Sequence, residues 1–138
     1  MVESFGNQKK RKRVFERIIM LPSTVDTISI GGKFESEKMN GWGIEFRFNI
    51  ALIGNFIEDK LNGDGMSISL YGKYIGQLVD SKFDGIGTYT YNNGVKYEGE
   101  WYKGYFHGLG SITYPDGIQY EGQWHMNKPG CMDCFIIF

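Results

Sequence analysis

The sequence predicts an all-β protein built from about five consecutive hairpins, and three features carry that prediction. The first is a period: the stretch Tyr97–Gln119 recurs along the chain at steps of 22 or 23 residues. A step forward carries Tyr97, Gly99 and Trp101 onto Tyr120, Gly122 and Trp124; a step back carries Gly99, Gly108, Gly110 and Gly117 onto Gly76, Gly85, Gly87 and Gly94. Further steps reach Gly54, Gly63, Gly65 and Gly72, then Gly32, Gly41 and Gly43, so that copies begin near Ile30, Leu52, Tyr74, Tyr97 and Tyr120. A period of this length marks a stacked-repeat architecture. The second feature is alternation of side chains within each copy, and the third is turn chemistry between copies.

One copy explains the rest. In Tyr97-Glu98-Gly99-Glu100-Trp101 the side chains point alternately to two faces, so the two rings share one face and the two carboxylates the other. Tyr102 to His107 contains a glycine and reads as the hairpin loop. Gly108 to Tyr114 forms the returning strand, with Ile112 and Tyr114 on one side. Pro115-Asp116-Gly117 closes the unit: proline presets φ near −65° and glycine accepts positive φ, so the chain reverses into the next copy. Asn92-Asn93-Gly94 does the same one copy earlier, Asn-Gly being a strong hairpin signal.

Glycine within a strand weakens it by roughly 0.5–1 kcal/mol relative to alanine, so its repetition calls for a steric reason. Gly99 leaves a gap between two rings, while Gly108 and Gly110 let a neighbouring ring lie flat on the backbone. Tyr74, Tyr97, Trp101, Tyr120 and Trp124 share one offset and form a ladder on one face. That ladder has two readings: an aromatic trough that receives a partner, or rings packed on each other as the core of a repeat with little else to bury.

The string Tyr-Glu-Gly-Glu-Trp at 97–101, followed by Gly104, His107-Gly108-Leu109-Gly110 and Asp116-Gly117, resembles the MORN (membrane occupation and recognition nexus) repeat. The likeness is closest over residues 74–124 and thins over 30–73, where Ile30 and Leu52 stand for the opening tyrosine and Phe34 and Phe56 for the tryptophan. The resemblance implies an elongated single-layer antiparallel sheet twisted into a trough. It also implies a non-catalytic binding or scaffold module within a larger assembly, intracellular and cytoplasmic, cytoskeleton-associated or membrane-associated.

Taken in order, the chain opens with Lys9, Lys10, Arg11, Lys12 and Arg13 in a probable-tail composition: residues 1–17 balance to +4 and the remainder to −5. Residues 1–13 are expected as a basic tail. The run suits solvent, a nuclear import receptor, or an anionic surface such as phospholipid, where each cation contributes about 1 kcal/mol. Residues 14–29 are expected to cap the first hairpin; Val14 to Leu21 ends at Pro22 and has the apolar spacing of a short amphipathic helix. The array then runs over 30–138. Ile28, Ile30, Gly32 and Phe34 alternate in the first strand, Gly41-Trp42-Gly43 opens its partner, Asn62-Gly63 punctuates the second copy, and Met66, Ile68 and Leu70 alternate after it. The last copy departs from the pattern at Lys128-Pro129-Gly130 and ends in Phe135, Ile136, Ile137 and Phe138. Apolar on both faces, that terminal strand reads as an assembly edge, either folding over the sheet or pairing with another chain, a homodimer included.

Catalytic chemistry has little to work with. No apolar run approaches the ~18–20 residues that span a bilayer. Asn62-Gly63-Asp64-Gly65 is too poor in carboxylates for a calcium loop. Cys131, Cys134 and His125 give three metal ligands without a fourth, so neither a metal nor another cofactor is expected. No phosphate-binding loop and no nucleophile–base pair can be picked out, and sequence-specific nucleic-acid binding has no motif to rest on.

Overall fold

The structure is a computed structural model that describes residues 18–20, 27–130 and 136–137. Among these residues there is no helix. They form one antiparallel sheet: β1 (Ile18–Met20), β2 (Thr27–Glu35), β3 (Lys38–Arg47), β4 (Ile50–Ile57), β5 (Lys60–Ser69), β6 (Gly72–Val79), β7 (Lys82–Tyr91), β8 (Lys96–Tyr102), β9 (Tyr105–Thr113), β10 (Gln119–His125), β11 (Lys128–Pro129) and β12 (Ile136–Ile137). Strands β1 to β11 neighbour one another in chain order, and β12 returns to pair with β10. Each strand contacts only its sequence neighbours, which is the repeat architecture expected from the period.

Glycine sets the register. Gly31, Gly43, Gly54, Gly65 and Gly76 lie opposite one another from β2 to β6, and Gly87, Gly99, Gly110 and Gly122 continue the same row to β10. Directly opposed residues share a face, so this row runs across the sheet on one side, here called the front. Large side chains flank it on that face. Met39, Leu52, Phe56, Leu61, Tyr74, Leu78, Tyr97, Trp101, Phe106 and Trp124 are buried there and pack into one cluster. The sheet has a single layer, so its core is the front face itself.

Two glycines in each copy do different work. A Cβ on Gly110 would collide with the ring and Oη of Tyr97, and one on Gly87 with those of Tyr74. Gly108 has φ of 55°, and there a Cβ would meet the Glu100 carboxylate rather than a ring. It sits in a bulge, where the β8–β9 register shifts between Gly99 and Glu100. Glu100 Oε1 accepts a hydrogen bond from the bulged Leu109 N–H at 2.9 Å, and Gln77 Oε1 accepts one from Ile86 N–H at 2.9 Å one copy earlier. The expectation that a ring covers Gly108 is therefore corrected: the second polar residue of the Tyr-Glu-Gly-Glu-Trp string covers it.

The hairpin loops are tighter than the sequence suggested. Tyr102 pairs with Tyr105, leaving Lys103 and Gly104 as a two-residue turn with φ of 49° and 89°. Asp80-Ser81 and Met126-Asn127 repeat that geometry, with both residues at positive φ as a type I′ turn requires. These turns stitch copies together. Asp59 Oδ1 accepts from Met39 N–H at 2.7 Å, Ser81 Oγ from Leu61 N–H at 2.9 Å and Asn127 Oδ1 from Phe106 N–H at 2.7 Å.

Three expectations at the ends change. Ile18–Met20, read as part of a short helix, is a strand paired to β2; its backbone groups complete the edge of β2, which a helix would leave unpaired. The rest of Val14 to Leu21 lies outside the described residues. Ile30 does not take the tyrosine position: it faces Ile44, and Ser29 faces Glu45 in the row that continues through Leu52 and Tyr74. The cause is an extra glycine, Gly32 at φ 73°, which makes a register shift between Gly31 and Lys33 and turns Ile30 to the other face. At the far end, β12 extends the sheet in plane on β10, while Phe135 and Phe138 lie outside the described residues.

The glycine row makes a direct test. Gly110→Ala should destabilise the protein by about 1–3 kcal/mol through overpacking against Tyr97, whereas Leu109→Ala, at an exposed bulge, should stay within about 0.5 kcal/mol. Urea unfolding checks both; equal effects would remove the steric role of the row.

Candidate functional site

The front face is where the chemistry of this chain is concentrated. Tyr97 stacks on Phe106 with centroids 3.8 Å apart and meets Trp101 edge-on at 5.2 Å. Tyr74 repeats this with Phe83, stacked at 3.8 Å, and also meets Trp101 edge-on at 5.2 Å. Trp124 closes on Tyr97 at 5.7 Å and on Tyr120 at 5.3 Å. Offset stacks and edge contacts suit the ring quadrupole, each contributing about 0.5–1.5 kcal/mol beyond burial.

The polar tips of these rings are tied to the backbone. Tyr74 Oη donates to the Gln77 carbonyl at 2.7 Å and Tyr97 Oη to the Glu100 carbonyl at 2.9 Å, so each ring lies along its own strand over the glycine between. Trp101 Nε1 donates to the Gly87 carbonyl and Trp124 Nε1 to the Gly110 carbonyl, both at 3.0 Å. The indole thus locks each copy to the one before it.

All five ladder residues lie on the front face, as the alternation required. Tyr74 and Tyr97 have no exposed surface, and Trp101 and Trp124 keep 5% and 7%. Tyr120 is half-buried. These rings are core first, and a partner reaches the front face mainly through residues that sequence reasoning did not single out. Phe83, Tyr89, Tyr91, Trp101, Gly104, Phe106 and Asn127 line a groove of about 400 Å³. Phe83, Tyr89 and Tyr91 are only partly buried, and the rings of Tyr89 and Tyr91 stand 4.6 Å apart. A signal existed for Phe83, since Phe106 follows it by one repeat step. Tyr89 and Tyr91 left a weaker one, because their equivalents, Ile112 and Tyr114, differ in kind or exposure.

The groove opens at Gly104. At the matching turn positions Asp59, Ser81 and Asn127 project a side chain onto the preceding copy, and glycine does not. Its N–H still donates to the Phe83 carbonyl at 2.8 Å, so the turn stays docked while the space above it is empty.

Charge is sparse on this face. Burial pushes the phenols of Tyr74 and Tyr91 up, and that of Tyr97 up to about 12. Glu45 stands in the tyrosine row and is buried; desolvation raises its carboxyl, and Arg47, 2.9 Å from Oε1, partly offsets that. Among the described residues no group of three His, Cys, Asp or Glu side chains is placed to hold a metal. His125 contacts His107 ring to ring at 5.3 Å, and Cys131 and Cys134 lie outside the described residues. So do Lys9, Lys10, Arg11, Lys12 and Arg13. Ile136 and Ile137 of the expected assembly edge pair with Tyr120 and Gln119. The arrangement supplies aromatic surface and backbone order, with no nucleophile–base pair among the groove residues.

The raised phenols fix the sign of a pH effect. The unfolded chain releases tyrosine protons near pH ~10, while the folded one holds that of Tyr97 to about 12. Stability is therefore complete below about pH 10 and should fall by up to about 1.4 kcal/mol per pH unit for each proton withheld. Tyr97→Phe should lose about 1 kcal/mol with the Oη hydrogen bond yet show a shallower alkaline decline. Melting at stepped pH values checks this; an unchanged slope would contradict it.

Comparison with known proteins agrees with this geometry. The MORN repeat family model matches residues 74–96, 97–119 and 120–130, the copies in which the tyrosine, glycine and aromatic rows are most complete. No curated protein matches the chain. MORN repeats are non-enzymatic modules of protein or membrane interaction, and among the described residues no helix is long and apolar enough to cross a membrane. The match over three successive copies, each folded as a hairpin with its ring over a glycine, makes this chain a MORN-repeat protein.

Proposed function

We propose that the chain is a non-catalytic scaffold or binding module that holds a segment of another protein within a larger assembly, with the front-face groove at Gly104 as its receiving surface. The observation that carries this reading is the half-buried trio Phe83, Tyr89 and Tyr91 around the edge of Trp101, next to a turn that lacks the side chain filling the same place elsewhere. Partly exposed aromatic surface over a rigid floor is the kind of anchor site that dominates protein–protein affinity. Tyr74, Tyr97, Tyr120 and Trp124 support the floor; Trp101 both supports and lines it. An intracellular setting, on cytoskeleton or membrane, accords with this role.

Folding and binding can be separated at the groove. Gly104→Asn introduces a residue that tolerates positive φ and stands where Asn127 stands one copy on. It should leave urea stability equal or higher and abolish retention of the partners that copurify with the unaltered chain. Trp101→Ala should instead destabilise by about 3–5 kcal/mol. Partners retained at full level by Gly104→Asn would overturn the groove as the binding surface.

The charge contrast between residues 1–17 and the remainder, +4 against −5, supports a second reading: a peripheral membrane tether acting through Lys9, Lys10, Arg11, Lys12 and Arg13. Five cations at about 1 kcal/mol each make a reversible anchor. Vesicle binding should then require anionic lipid, weaken from about 0.05 to about 0.5 M salt, and vanish when residues 9–13 are neutralised. Binding that survives that change would exclude the run as the anchor.

A further inference from the structure

The back face changes character halfway along the sheet. One row of directly opposed residues runs Ile30, Ile44, Ile53, Met66, Ile75 from β2 to β6. It then continues as Thr88, Glu98, Ser111 and Glu121 from β7 to β10. A second row follows suit: Phe46, Ala51 and Ile68 give way to Lys73 and Thr90. The polar half suits water. The apolar half does not, for Phe46, Ile68 and Ile75 keep 41%, 41% and 47% of their surface exposed.

We infer that this half of the back face is the contact between two copies of the chain. Strands about 4.8 Å apart and rising about 3.4 Å per residue give the rows on β2 to β6 a footprint of roughly 500 Å². Once corrugated by side chains, that approaches the ~800 Å² per partner of a stable interface and exceeds what monomers usually leave bare. The two rows carry no charge from Ile30 to Ile75 and from Phe46 to Ile68, so the matching surface must be apolar as well, and the chain itself offers one. A two-fold axis lying between the sheets along the strand direction lays β2–β6 of one copy on β6–β2 of the other, as in an aligned sandwich. Both polar halves then project into water at opposite ends, with Glu98 and Glu121 outside the overlap. Both front-face grooves point outward, which makes the pair a bivalent scaffold. This goes beyond the proposed function and stands without it, because it uses the other face.

Sedimentation velocity of the full chain from about 1 to about 200 μM should show a concentration-dependent dimer. Ile53→Lys, at the centre of the patch, should abolish it. Ile68→Thr with Ile75→Thr, which copies the residues the chain itself uses at Thr88 and Thr90, should weaken it at least tenfold and keeps a β-branched side chain, so folding is retained. Circular dichroism in the aromatic region, dominated by the front-face rings, verifies the fold of each variant. Phe135→Ser with Ile137→Thr, at the far edge of the sheet, should leave the dimer intact. A chain monomeric at the highest concentration, or a dimer indifferent to the back-face changes, or one lost only with the edge variant, would overturn the inference.

Discussion

Everything in this fold depends on a tyrosine ring lying flat across a pair of opposed glycines. A single-layer sheet has no second layer to bury its face, so the face must supply its own core. It can do so only if large rings lie down on the backbone rather than standing up from it. Standing rings would leave gaps between rows that strand spacing cannot close. Glycine makes the lying position available: Tyr97 crosses Gly99 to reach the Glu100 carbonyl and covers Gly110 on the next strand. The weakness of glycine in a strand is thereby offset by the ring that occupies the vacant space.

The second requirement is that copies hold to one another, since no copy buries its face alone. The indole N–H of Trp101 reaches back 14 residues to Gly87, and turn side chains reach back about 20, as from Asn127 to Phe106. These are short bonds between fixed partners, repeated along the sheet. They favour uniform copies, and the departures are therefore informative. Where Leu52, Phe56 and Leu61 replace the tyrosine, tryptophan and phenylalanine of later copies, the N–H and O–H ties disappear. The same stretch carries the apolar back face. The amino-terminal half thus relies on aliphatic packing on two faces, and the carboxyl-terminal half on hydrogen-bonded rings on one.

Much of this was legible in the chain because the period is strict. The hairpins, the shared face of Tyr97 and Trp101, and the turn at Pro115-Asp116-Gly117 all follow from residue spacing alone. What escaped notice involved insertions and tertiary pairing. One extra glycine, Gly32, slid Ile30 by a single position and moved it to the opposite face, an effect no alignment of copies by glycine could reveal. Ile18 to Met20 has apolar spacing that fits a helix turn, but the unpaired edge of β2 decides in favour of a strand. Glu98 and Glu100 looked equivalent on the wet face, yet only Glu100 lies beside a bulge whose N–H needs an acceptor. The groove could not be read at all, since it arises from a missing side chain at Gly104 facing residues twenty positions away.

That origin bears on how repeats acquire function. Strict repetition yields a surface of identical steps, on which no place is preferred and a partner could slide from one copy to the next. A site needs one copy to differ. Here the break is small: a turn residue that caps the preceding copy at 59, 81 and 127 becomes glycine at 104, while the backbone bond from Gly104 to Phe83 keeps the turn in place. Stability is nearly untouched because the tie that is lost is a single side-chain hydrogen bond, worth about 1 kcal/mol. The space it vacates is walled by Phe83, Tyr89 and Tyr91 and floored by Trp101, rings that the fold requires for its own packing. Binding surface is thus obtained from the core by uncovering it at one step, and the rings beneath remain held by the copies on either side.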